Sequence, residues 1–272
     1  MNLIDRAIAV FSPKMAYQRA RYRAAATHFD GAGSTYRQKG WKAASGDVNS
    51  ANFGATKLLR RRSRDMVRNN AFASRAVSAL VDSVIGDGIR PHVRVPDGRE
   101  DLKKRAEDII LRHCETTAID AHGLNTLYGM QRLMFRQIVE GGETLARRRT
   151  RRNRDRLPLN FQVEVLEPEF LDDRDVGKVD SGNNTFDGIE FDLLNRRIAY
   201  QIFERHPEAF MEVFPESTRI PAEAIIHAFR IDRPNQRRGV PWMAPLMALL
   251  ADSGDYMDAQ LLKQKLSAMF VA

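Results

Sequence analysis

The chain has 272 residues, 43 Lys and Arg against 35 Asp and Glu, one cysteine and 43% hydrophobic residues. That length suits one large domain or two ordinary ones, and the lone Cys114 excludes a disulfide framework or a cysteine-rich zinc site and fits a reducing compartment. No stretch approaches the roughly 18 apolar residues of a membrane span, and the opening MNLIDRAIAVFSPK lacks a secretory signal pattern, so a soluble intracellular protein with no membrane partner is expected.

Residues 1–56 read as a basic, loosely structured arm rich in Gly, Ser, Ala and Asn, with Tyr36 and Trp41 as candidate anchors. Residues 1–75 hold 15 Lys and Arg against 4 Asp and Glu, while the remaining 197 hold 28 against 31. The excess positive charge is therefore N-terminal, which suits either contact with a polyanion or a solvated tail. Apolar residues from Leu58 to Ile85 recur at helical spacing and predict one helix, stopped by Gly86-Asp87-Gly88. Its first half carries Arg60, Arg61, Arg62, Arg64 and Arg68, a strongly cationic exposed face.

A second helix is expected from Asp101 to about Glu115, and a third from near Leu124 to Gly141-Gly142. The period then changes. ETLARRRT, NFQVEVLEP, GIEFD, RRIAYQIF and AIIHAFRI read as strands, with GIEFD and RRIAYQIF as a hairpin about Leu193-Leu194-Asn195. After the Gly239-Val240-Pro241-Trp242 turn, a long amphipathic helix runs from about Ala244 to the end. The fold class is α+β: helices around a mostly antiparallel sheet, divided as arm 1–56, domain 57–240 and helix 241–272.

The densest charge cluster holds Arg147, Arg148, Arg149, Arg151, Arg152, Arg154 and Arg156. Placed as an exposed hairpin loop, it could grip phosphates or a partner's carboxylates, or pair internally with Asp172, Asp173 and Asp175. Glu164, Glu167, Glu169, Asp172, Asp173 and Asp175 could suggest a divalent-metal site, but the run has no histidine partner in sequence and reads better as salt bridges to arginine. The six histidines show no HExxH or HxH spacing, and His113 and Cys114 are adjacent on a helix, about 100° apart, too divergent for a thiolate–base pair. GxSxG, GxxxxGK[ST] and GxGxxG are absent. No catalytic residue, metal or cofactor is expected, and the charges with long apolar helices point to a structural or binding protein.

Five collinear blocks then carry a family resemblance: DSVIGDGIRP; GLNTLYGMQRLMFRQIVEGGETLARRR; VEVLEPEFLDD; GIEFDLLNRRIAYQIFERHP; and IPAEAIIHAFRIDRPNQRRGVPWMAPLMALL with DYMDAQLLKQKLSAMFVA. From about residue 55 onward the sequence resembles the lambda-like portal proteins of tailed phages. The resemblance implies a wing-type α+β domain leading to a stem helix, in a homo-oligomeric ring of typically twelve subunits at one capsid vertex. Double-stranded DNA would pass through without sequence preference, and terminase, capsid and head-completion proteins would be partners. The location implied is the virion, with the bacterial host cytoplasm during assembly.

Within that reading the arginines of 60–68 and 147–156 are candidates for DNA or a neighbouring subunit. Leu261, Leu262, Leu266 and Phe270 are candidate knobs between copies of the last helix. The chain is shorter than typical members and finishes inside that helix, so a truncated portal lacking clip and crown is expected. The competing reading is a prophage remnant acting as a monomeric basic nucleic-acid-binding module, and a nuclease using the acidic run is a third.

Overall fold

The computed structural model describes Met15 and residues 46–96, 98–174, 177–178, 183–208 and 216–271. Tyr36, Trp41 and Asp175 lie outside the described residues. The chain divides into two units, Met1–Gly46 and Asp47–Ala272, and the elements below belong to the second.

Helix starts here before residue 57, where the sequence placed the domain boundary. Asp47 caps α1 (Val48–Asn52), its carboxylate accepting from the backbone N–H groups of Asn49 at 3.2 Å and Ser50 at 3.0 Å. The expected single helix over 58–85 is two: α2 (Ala55–Asn69) and α3 (Ala71–Val84). Asn70 is the reason. It leaves helical geometry at φ −113°, ψ 117°, and its Oδ1 accepts from Phe72 and Ala73 N–H, ending one helix and capping the next. The apolar period runs through both helices, so periodicity alone reads them as one.

α4 (Glu100–Cys114) and α5 (Leu127–Gly141) match the expected second and third helices. Val67, Ala73, Val77, Val81, Val139, Met243 and Met247 form one core, which packs α2, α3 and α5 against the start of the last helix.

Among the described residues the strands form two sheets. β1 (Glu143–Thr150) is the centre of an antiparallel three-stranded sheet between β2 (Phe161–Leu166) and β8 (Ile225–Phe229). The second sheet is antiparallel in the order β3-β4-β5-β6-β7: Gly177–Lys178, Asn184–Phe186, Ile189–Phe191, Arg197–Phe203 and Ser217–Pro221. The β5–β6 hairpin turns where expected, with Asn195 at φ 62°. Sequence reading missed β3, β4 and β7, which are short and carry little apolar alternation. Leu145, Leu166, Ile189, Phe191, Tyr200, Ile202 and Ile225 form the core shared by the two sheets.

After a 3₁₀ turn at Ala244–Leu246, α6 runs over Met247–Val271. It is not the one-sided helix its sequence suggested. Leu249, Tyr256, Met257, Leu261, Leu262, Leu266, Met269 and Phe270 are all exposed. Leu261 and Leu262 project about 100° apart, while Leu262, Leu266 and Phe270 form one i, i+4, i+8 row.

Candidate functional site

Glu143 opens β1 with a fully buried side chain, directly after the Gly141-Gly142 pair that ends α5. Its Oε1 accepts from Arg60 Nη2 at 2.8 Å and Arg238 Nη2 at 2.6 Å. Its Oε2 accepts from the Gly239 N–H at 2.9 Å and lies 3.0 Å from His227 Nε2. Arg60 Nε donates to Gly141 O at 3.0 Å, placing a cation on the C-terminal carbonyls of α5 where the helix dipole favours it. Glu169 lies 3.4 Å from Arg60 Nη1 and accepts from both Arg64 terminal nitrogens at 2.8 and 3.1 Å.

Burial by itself would raise the Glu143 carboxyl, yet Arg238, His227 and Arg60 together hold it well below the usual carboxylate range. Burial likewise opposes the ionised form of Glu169, and the Arg60 and Arg64 guanidiniums reverse that. The His227 imidazole is pushed down by desolvation, only partly offset by Glu143, so it is neutral at pH 7. The junction is thus two carboxylates matched by Arg60 and Arg238, with Arg64 at its edge.

Two glycines let these segments meet. Gly142 has φ 91°, and a Cβ there would lie 2.6 Å from the Val240 carbonyl carbon. A Cβ on Gly239 would lie 2.1 Å from Gly142 O. Trp242 N–H donates to Val139 O at 3.0 Å, completing the clasp between the end of α5 and the loop before α6. The segments VEGGE and RRGVPW, far apart in sequence, therefore interlock around one buried carboxylate.

Arg60 corrects the expectation of a uniformly exposed cationic face: it is 2% exposed, with its charge directed inside the subunit. Arg61 is exposed and pairs with Glu208, and Arg64 is half-buried against Glu169 and Glu167. Arg62 and Arg68 are exposed and have no ion pair among the described residues. The 147–156 cluster is also divided, for Arg147, Arg148 and Arg149 are strand residues opposite Glu164, Val163 and Gln162 rather than part of a loop. Arg149 Nε stands 3.0 Å from Glu164 Oε2, and Arg151 Nε donates to Gln162 at 2.7 Å. Burial lowers the half-buried Arg147. Arg154 is exposed, 4.0 Å from Asp155, while Arg148, Arg152 and Arg156 are exposed with no ion pair among the described residues. Leu261, Leu262, Leu266 and Phe270 are 54%, 59%, 46% and 88% exposed, so no part of the described subunit covers them.

The acidic run pairs with arginines, but chiefly those of α2 rather than the 147–156 cluster. Asp173 pairs with Lys57, and Asp172 accepts from Arg174 and Ser217. His206, not evident from sequence spacing, brings its Nε2 within 3.2 Å of Glu167, and one ligand atom each from Glu167, Glu169 and His206 lies within 4.8 Å of the others. Glu169 is already bound by two guanidiniums there. Burial raises the Cys114 thiol and lowers the His113 imidazole, as expected of core side chains. Glu143, His227 and Arg238 were missed by motif reading because isolated polar residues in strands and loops give no periodic signal. The only hint was a glutamate at the inward-facing start of a strand.

Over 205 residues the chain is 27% identical to the "Probable portal protein" of Halomonas phage phiHAP-1, an alignment covering 72% of this chain and 39% of that relative. The chain thus spans about two fifths of the relative's length. The model of the family described as "Phage portal protein, lambda family" matches residues 34–272, a stretch that includes every helix and strand from α1 to α6. Both segments of the Glu143 clasp lie within that match, and the chain belongs to the lambda family of phage portal proteins.

Proposed function

We propose that this chain is a non-enzymatic portal subunit that assembles with copies of itself into a ring at one capsid vertex, through which double-stranded DNA is packaged and ejected. Twelve copies is the stoichiometry we assign, with terminase and head-completion proteins docking in turn. Family membership supplies the class. The observation that carries the reading is α6, whose leucines and Phe270 stand uncovered on several sides. No described residue buries those side chains. Copies packed around an axis bury them, with Leu262, Leu266 and Phe270 as the row facing one neighbour and Leu261 nearer another. Two faces about 100° apart suit a helix with neighbours on both sides.

The clasp around Glu143 has a supporting role in this scheme. It fixes where α6 leaves the domain, because Arg238, Gly239 and Trp242 tie the loop before α6 to β1 and α5. Identical exit angles in every copy are what allow a head-to-tail ring to close rather than spiral. Of the candidate arginines, Arg62, Arg68, Arg148, Arg152 and Arg156 are exposed with no ion pair among the described residues, and we assign them to DNA or to a neighbour's acids. Contacts with moving DNA are expected to be weak and independent of sequence.

Assembly and DNA binding test this together. The purified chain is expected to form a ring by mass photometry and to bind duplexes of unrelated sequence equally. A monomer whose DNA affinity falls linearly in log salt would favour the basic-module reading instead.

A further inference from the structure

The loop between β8 and the 3₁₀ turn at Ala244–Leu246 holds no helix or strand, so its backbone polar groups need partners of another kind. From Arg230 to Arg238 one side chain supplies several of them. Gln236 is 6% exposed, and its Oε1 accepts from the N–H groups of Asp232 at 2.8 Å and Arg233 at 3.3 Å. Its Nε2 donates to Arg238 O at 2.9 Å and to Arg230 O at 3.3 Å. Two lone pairs and two N–H groups are all that a side-chain amide offers, and four bonds are made. Both ends of the loop, Arg230 and Arg238, are thereby drawn to one point, while Asn235 turns the chain in left-handed backbone at φ 61°.

A second amide holds the same loop from outside. Asn49 of α1 donates from Nδ2 to Asn235 O at 3.0 Å and accepts the Arg237 N–H on Oδ1 at 2.9 Å, as the backbone of a neighbouring strand would. Arg237 also lies over Phe186 and Phe191, its guanidinium 4.8 and 4.7 Å from their ring centres. The loop is thus tied to α1, to the second sheet and, through Arg238 and Gly239, to Glu143.

We propose that Gln236 and Asn49 are positioning residues for α6. Gln236 gives the loop the shape from which Arg238 reaches Glu143, and Asn49 fixes that shape against α1. The direction in which α6 leaves the body is then set jointly by α1 and β1. Small errors there are amplified. α6 has 25 residues and is about 37 Å long, so a tilt of about 5° at its base moves its far end by about 3 Å. Successive subunits turn by about 30° in a ring of twelve and about 28° in a ring of thirteen, so a loosened exit changes which number closes, or prevents closure. The consequence for copy number rests on the ring reading above; the direction of α6 does not.

Two measurements on the full chain keep the parts separate. In the first, Thr150→Cys on β1 and Ser267→Cys on α6, both at exposed positions, carry spin labels, while the native Cys114 is buried. Labelled chain is diluted into unlabelled chain, and one narrow distribution of distances is expected. Asn49→Ala and Gln236→Ala should each broaden it about twofold, because a loop without its side-chain partners samples more than one shape. Asn49→Asp keeps the acceptor for the Arg237 N–H and should fall between. Asn70→Ala removes a helix cap that does not touch the loop, and should leave the width unchanged. If Gln236→Ala does not fold, the half-buried Asn49 decides. The second measurement is native mass, where a single ring should become a mixture of copy numbers or open assemblies in Asn49→Ala and stay single in Asn70→Ala. Distances unchanged by Asn49→Ala overturn the proposal whatever the mass, and so does equal broadening by Asn70→Ala. Broadened distances in a chain that never forms a ring support the positioning of α6 and remove the ring. Broadened distances with an unchanged ring overturn the link between exit direction and copy number.

Discussion

Arg60 and Arg62 sit two residues apart on the same helix, are chemically identical, and do unrelated things. Arg60 faces Glu143, Glu169 and the last carbonyls of α5, and Arg62 faces solvent. A buried ion pair gives little net stability when intact but costs about 3–5 kcal/mol when one partner is removed, because the other charge is left stranded. Arg60→Ala is therefore expected to lower unfolding stability by about that amount in urea, and Arg62→Ala to change it by less than about 0.5 kcal/mol. Equal small effects would show that Arg60 is not part of the core. Acid should act on the same cluster. Glu143 and Glu169 titrate below their ordinary value in the fold, and so does His227. Groups with depressed folded values stabilise the protein above their unfolded pKa and lose that contribution as pH falls toward the folded value. Stability should therefore decline as pH drops below about 6.5, from His227 together with the buried His113, and further below about 4.5, from the carboxylates. His227→Gln should flatten the upper part of that decline in thermal unfolding scans from pH 7 to 4.

At the scale of elements, sequence reading found the helices and the longer strands because their apolar residues repeat with the right period. β1 was bounded at Glu143 and Thr150 by the glycine pair before it and the polar run after it. It failed where one residue overrode the period. Asn70 splits the α2–α3 helix because its side chain competes for backbone N–H groups, and Asn70→Ala should cost about 1 kcal/mol in unfolding stability. Burial of Arg60 was illegible for a related reason: its partners come from the end of α5, β1 and the 3₁₀ turn at Pro168–Phe170, more than eighty positions away in sequence. The Arg147–Arg156 run was read both as one loop and, in ETLARRRT, as a strand end, and the strand reading holds for Arg147, Arg148 and Arg149. Gly142→Ala is a sharper test of the clasp than any charge change. It adds a methyl at φ 91° against the Val240–Pro241 backbone, and should destabilise the fold by more than the roughly 1 kcal/mol of an ordinary helix-end glycine substitution.

At the scale of the whole molecule, the described α+β body of residues 47–246 anchors one end of a long helix whose outer leucines and Phe270 no described residue covers. Nothing in the periodicity of α6 set how many of its sides are apolar and uncovered, and Leu261 and Leu262 are both exposed, about 100° apart. If the uncommitted arginines face DNA, replacing Arg148, Arg152 and Arg156 together should lower the slope of log affinity against log salt by up to about 3. If they face a neighbour's acids, the same variant should weaken assembly and leave that slope unchanged. The most direct test of ring formation is the native mass of the 272-residue chain at low and high salt, for the unaltered protein and for Leu262→Asp/Leu266→Asp. A ring of about twelve copies that the double substitution reduces to monomers is the expected result. A monomer at every salt concentration, or a ring indifferent to those two aspartates, would contradict assembly through α6.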